Sequence, residues 1–176
     1  MIYNMDFLIS AMIILLLILW HFLGQKRAED LNNRVFLFFA VLGTADVVAE
    51  FFTNYYITSY NSDMGTAAVI VTTIFYLLQA LLPATFIFYI QTLHEQKIIS
   101  AKKMFISGVP TLALISVILT NPFTEKLFSF DVTAGYVKGP WYLLMYVSAL
   151  GHFAVALLLI LLWRKKLGPQ KAKILL

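Results

Sequence analysis

The sequence predicts an all-α integral membrane bundle of about five transmembrane helices, amino terminus outside and carboxyl terminus cytoplasmic, and three observations predict it. Hydrophobic residues make up 61% of the chain and charged residues only 12%, giving a mean hydropathy of +0.83, well beyond the usual range of soluble domains. The apolar residues fall in blocks near the ~20 residues that cross a hydrocarbon core. Basic residues collect between alternate blocks, the pattern that sets orientation in a membrane.

The first block covers about 7–23 and is followed by a polar run. No Lys or Arg precedes it and no small-x-small cleavage site follows it, so it is read as a retained helix rather than a signal peptide. Further blocks cover about 35–58, 66–93, 104–120 and 140–163, and residues 164–176 form a basic tail, all in a single transmembrane domain 1–176. Pro83 lies inside the third block, where its missing amide hydrogen predicts a kink that neighbouring helices can accommodate.

Of the 13 basic residues, all but Lys126 and Lys138 lie after the first block, after the third block or in the tail. That asymmetry places those segments in the cytoplasm and the amino terminus outside. Trp20 and Trp163 then mark the inner surface, and Tyr55, Tyr56, Tyr60, Trp141 and Tyr142 the outer one. The net charge of +4 is explained by orientation and attraction to anionic lipid, so no nucleic-acid partner is expected.

The longest connection, 121–139, holds Leu127-Phe-Ser-Phe130, Asp131 and Gly135-Tyr136-Val137. It reads either as a small outer hairpin of two short strands around a turn or as a loop anchored on the headgroups by Phe123, Phe128 and Phe130.

Asp46 and Glu50 are the most informative pair, because both lie deep in the second block and a carboxylate in lipid is costly unless paired, hydrated or protonated. Their spacing puts them on one helix face, where Gly43, Thr53 and Asn54 extend a polar stripe. Gln79 and His152 lie at similar depth in the third and fifth blocks. Asp46, Glu50, Gln79 and His152 are therefore expected to form an intramembrane polar cluster, the candidate ligand or switch site. Such a cluster can equally be interhelical polar glue, worth roughly 0.6–2 kcal/mol per hydrogen bond, or part of a proton or ion path.

With no cysteine in the chain there is no disulfide or thiolate ligand, and His152 has no second ligand at metal spacing on its helix. Metal and cofactor are both expected to be none. His21 and His94 sit near the inner boundary and are read as interfacial. No phosphate-binding loop, G-x-S-x-G, H-E-x-x-H or kinase signature occurs, so the chain is not expected to be an enzyme and no catalytic residue is assigned.

Several segments resemble a known family. They are Phe22-Leu-Gly-Gln-Lys-Arg27 leading into Asn32-Asn-Arg-Val-Phe36, then Ile74-Phe-Tyr-Leu-Leu-Gln79. The outer segment adds Asn121-Pro122, Leu127-Phe128, Phe130-Asp131, Gly135-Tyr136 and Gly139-Pro140, leading into Tyr142 and Tyr146. Together they resemble the amino-terminal seven-helix membrane sensor region of bacterial GGDEF (diguanylate cyclase) receptors and sensor histidine kinases, through helix five. The resemblance implies a multi-pass protein of the bacterial cytoplasmic membrane. It would relay a ligand or membrane signal to a cytoplasmic output domain or partner, either as a single chain or as a homo-oligomer in the bilayer. On that reading the last residues, Lys173-Ile-Leu-Leu176, resemble the first turn of a sixth helix, and the chain is expected to be a truncated receptor, a gene fragment or a standalone relative. The alternative is a small transporter or channel component that uses the intramembrane carboxylates.

Overall fold

Asp30 starts the second helix as an N-cap. Its extended backbone (φ −98°, ψ 163°) lets Oδ1 accept the amide hydrogen of Asn33 at 2.8 Å, satisfying one of the amides that a helix start leaves without a partner. The computed structural model describes residues 5–25, 30–60, 62–95 and 101–163. Within them run α1 (Met5–Gly24), α2 (Leu31–Thr58), a 3-10 turn (Ser62–Met64), α3 (Gly65–Glu95), α4 (Ala101–Thr124), β1 (Phe128–Asp131), β2 (Gly135–Lys138) and α5 (Leu143–Trp163). The basic tail and the loop residues Lys26, Arg27 and Lys97 lie outside the described residues.

The chain is thus an all-α bundle carrying one hairpin. Among the described residues, four stretches are long and apolar enough to cross a membrane: Asp6–Gly24, Leu31–Thr58, Gly65–Leu93 and Leu143–Leu162. The side chains of α4 are described from Gly108 onward, and the part Gly108–Thr124 is apolar as well. With Met104, Phe105 and Ile106 ahead of it in the sequence, the fourth block 104–120 falls within α4.

α3 is the central element, packed against α2, α4, α5 and β1, while α1 packs chiefly on α2. Gly43 lies between α1 and α3, where an added Cβ would touch Leu82 and Leu15 at ordinary contact distance. One core sits at the hairpin end and joins Phe75, Tyr76, Ile118, Leu127, Phe128 and Met145. A smaller one at the other end joins Ile87, Ile90 and Ala156. Many other apolar side chains face outward, among them Ile14 and Leu17 on α1 and Leu150, Leu157 and Leu162 on α5. In water such faces would aggregate, but lipid tails solvate them as well as a core does.

Of the two readings of 121–139, the chain adopts the hairpin: Phe128 pairs with Lys138 and Asp131 with Gly135 in antiparallel register. The connecting residues 132–134 fold over Asp131, whose Oδ1 accepts the amide hydrogens of Thr133 at 2.8 Å and Ala134 at 2.9 Å. Gly135 then takes φ +69°, the left-handed step with which three-residue hairpin loops commonly rejoin the sheet. Asn121, buried at the end of α4, holds the base of the hairpin. Its Oδ1 accepts from the Leu127 amide at 2.7 Å and its Nδ2 donates to the Phe128 carbonyl at 3.0 Å. The path back into α5 is tight, with the Trp141 amide donating to the Lys126 carbonyl at 2.8 Å. That turn delays α5 to Leu143 rather than the expected 140.

Candidate functional site

The 3.6-residue period of α2 sets Asp46, Glu50, Thr53 and Asn54 along one face, and the face opens on a cavity of about 430 Å³. α3 contributes Thr72, Tyr76, Gln79 and Pro83 to the same cavity, again at helical spacing. From α5 and the turn before it come Tyr142, Tyr146, Ser148 and Phe153, and Tyr136 of β2 closes the hairpin end. Among the described residues, the lining holds two carboxylates and no Lys, Arg or His.

Polar atoms without partners mark this cavity. Asp46 Oδ1, Thr53 Oγ1, Asn54 Nδ2 and Thr72 Oγ1 are buried and make no hydrogen bond among the described residues, and all four residues line the cavity. Thr53, Asn54 and Thr72 are at most 4% exposed. Each such atom costs on the order of 1–3 kcal/mol when left unmet, and native proteins tolerate few. The fifth unmet atom found, Gln91 Oε1, belongs to a residue further along α3 that does not line the cavity. Pro83 adds one more acceptor to the region, because it has no amide hydrogen to offer the Gln79 carbonyl one turn earlier.

Aromatic rings form the remaining wall. The hydroxyls of Tyr76 and Tyr136 lie 2.6 Å apart, and those of Tyr142 and Tyr146 2.9 Å apart. Tyr76 also packs on Phe128 at a ring separation of 5.2 Å, which ties this wall to the hairpin core. At the rim, Lys138 Nζ stands 4.5 Å from the centre of the Tyr142 ring, a cation–π contact.

Among the four residues expected to cluster, Asp46, Glu50 and Gln79 line this cavity and His152 does not. The buried His152 sits one helix layer away, its Nε2 2.9 Å from Thr111 Oγ1 on α4 and its Nδ1 2.7 Å from the Ser148 carbonyl. With both ring nitrogens engaged, it joins α4 to α5 instead of facing the carboxylates. Gly43 likewise leaves the expected polar stripe, since it lies against Leu15 and Leu82. His21 pairs with Gln25 at 2.7 Å, and the side chain of His94 lies outside the described residues.

The tyrosines are the residues that sequence reasoning assigned elsewhere. Tyr142 was placed as an interface marker, and nothing in the chain order brings Tyr136 beside Tyr76, 60 positions away. The available signal was the i, i+4 pair Tyr142 and Tyr146 at the start of α5. No family model, curated protein or solved structure matches the chain. Among the described residues no group of three or more His, Cys, Asp or Glu is placed to hold a metal ion. The chemistry available is therefore that of the cavity: hydrogen-bond acceptors, two carboxylates, one free amide donor and aromatic faces.

Proposed function

We propose that the chain is a membrane-embedded sensory module whose cavity between α2, α3 and α5 receives a small polar ligand. The observation that carries this reading is that Asp46, Thr53, Asn54 and Thr72, each with a buried polar atom lacking a partner, all line one cavity. Polar groups serving only as glue between helices would be expected to bond one another, whereas a binding site keeps its donors and acceptors available to the ligand.

In this reading the five helices span a bacterial cytoplasmic membrane, with the hairpin outside and the basic tail inside. The resemblance to the sensor regions of GGDEF receptors and histidine kinases supports that role, and the basic residues gathered between alternate apolar blocks of the sequence support that orientation. Ligand contact with α2, α3, α5 and the hairpin would favour one packing of the bundle over another, and α5 would carry that shift to a cytoplasmic output domain or partner.

A reporter fused to the tail of the full chain tests the coupling. Asp46→Asn and Glu50→Gln should shift its output by about fivefold or more, the scale of ordinary allosteric coupling. Unchanged output in both variants would overturn the sensory reading. A carboxylate-dependent ion flux through reconstituted vesicles would replace it with the transporter or channel reading.

A further inference from the structure

Resting on the sensory reading for its setting, we propose that the cavity is a primary-ammonium site: it takes a cationic amine carried on a small apolar or aromatic body. Asp46 and Glu50 line the cavity, and among the described residues its lining holds no Lys, Arg or His; the one cation seen against a lining residue, Lys138, stands on the Tyr142 ring. A carboxylate at membrane depth is costly unless paired, hydrated or protonated, and a cationic ligand would supply the pairing.

The remaining groups narrow the cation. Asp46 Oδ1, Thr53 Oγ1 and Thr72 Oγ1, on residues that line the cavity, are buried and have no hydrogen-bond partner among the described residues; all three can accept, and the two threonine hydroxyls can also donate. An –NH3⁺ group brings three donors, as a lysine ammonium does, whereas a quaternary ammonium brings none. Asn54 Nδ2 is a buried donor without an acceptor, and a hydroxyl or carbonyl on the ligand body would satisfy it. The faces of Tyr76, Tyr146 and Phe75 attract a cation through their ring quadrupoles and give the body an apolar wall. Lys138 already uses this attraction at the Tyr142 ring. A volume of about 430 Å³ lies within the range of small-ligand pockets.

The same headgroup chemistry has two sources, a free amine or the ethanolamine end of a phospholipid, and one experiment separates them. The full chain is placed in nanodiscs of phosphatidylglycerol, and binding is measured by calorimetry with tyramine, octylamine and 1,5-diaminopentane. The neutral 4-(2-hydroxyethyl)phenol and the N,N,N-trimethyl analogue of tyramine serve as controls. At least one primary amine should bind, with both controls weaker by about tenfold or more, the effect of losing a charge-assisted hydrogen bond. Asp46→Asn and Glu50→Gln should each weaken that amine by a similar factor, with helical content by circular dichroism verifying that the variants fold. Thr72→Val provides a second, uncharged variant and should weaken the primary amine more than the trimethyl analogue.

Repeating the titration with phosphatidylethanolamine in the disc assigns the source. Competition that weakens amine binding about tenfold identifies the lipid headgroup, and unchanged binding identifies a free amine. The proposal is overturned if none of the three amines binds, if a control binds as tightly as the best amine, or if neither carboxylate substitution matters. Failure here with a carboxylate-dependent reporter leaves a sensor of another ligand. Amine binding with a silent reporter leaves the site and removes the sensor.

Discussion

Tyr76 on α3 and Tyr136 on the hairpin share a hydroxyl–hydroxyl hydrogen bond of 2.6 Å. It is the direct polar link between the central helix and the segment that closes the cavity. Replacing either residue by Phe keeps the ring packing and deletes the bond. Each single change should cost about 1 kcal/mol, and the double variant little more than either alone, a coupling that a double-mutant cycle on unfolding would measure. Additive losses would mean that the two hydroxyls do not depend on one another.

Asn121 offers a sharper lesion. It is 1% exposed and satisfies the Leu127 amide and the Phe128 carbonyl together. Asn121→Leu should leave both backbone groups buried and unmet, at about 2–4 kcal/mol from two desolvated groups. Asn121→Asp keeps the acceptor and should lose less. Amide exchange over residues 127–138 would read the difference, and equal protection in both variants would contradict the role given to the side chain.

Gly139 and Gly135 are required for different reasons. A Cβ on Gly139 would overlap the Lys126 backbone carbonyl, so Gly139→Ala must displace the strand that returns to α5. At Gly135 the space is open but φ is +69°, so Gly135→Ala should cost only about 1–2 kcal/mol of backbone strain. Thermal unfolding should rank Gly139→Ala as the more damaging of the two, and the reverse order would place the constraint in the turn.

The hairpin turn should also respond to acid. The Thr133 hydroxyl, followed by the amide hydrogens of Ala134 and Thr133, holds the Asp131 carboxyl below its ordinary value. A lowered folded value means that the ionised form contributes its stabilisation above the unfolded carboxylate range of about 3.9 and loses it as pH falls through the lower folded value. Amide protection of Thr133 and Ala134 should therefore fall in strong acid, and Asp131→Asn should abolish that dependence. A pH-independent turn in the native chain would refute it.

His152 and Thr111 join α5 to α4 across 2.9 Å. Thr111→Val preserves shape and removes the partner, and it should cost roughly 0.6–1.7 kcal/mol, as interhelical hydrogen bonds in membranes do. Unfolding from mixed detergent would measure it. A much larger loss would show that His152 cannot find another partner.

The helices were legible because each apolar block announces its own length, and the hairpin because Asp131 and Gly135 punctuate two short apolar runs. Asp46, Glu50 and Gln79 were legible for the complementary reason, as polar side chains stranded at depth. His152 looked the same by depth alone, but its rotational position on α5 turns it toward Thr111, a choice made by packing between helices. The tyrosine wall was illegible because Tyr136 and Tyr76 belong to different elements, and only the folded hairpin brings them together.

Pro83 lies between the two packed regions of α3, with Phe75, Tyr76 and Ala80 belonging to one and Ile87 and Ile90 to the other. Because the proline withholds a backbone hydrogen bond at that point, bending resistance along α3 is lowest where neither packed region clamps it. The central helix is in effect a jointed rod. A joint at that point would turn a push by the hairpin on one half of α3 into a change of angle at the other.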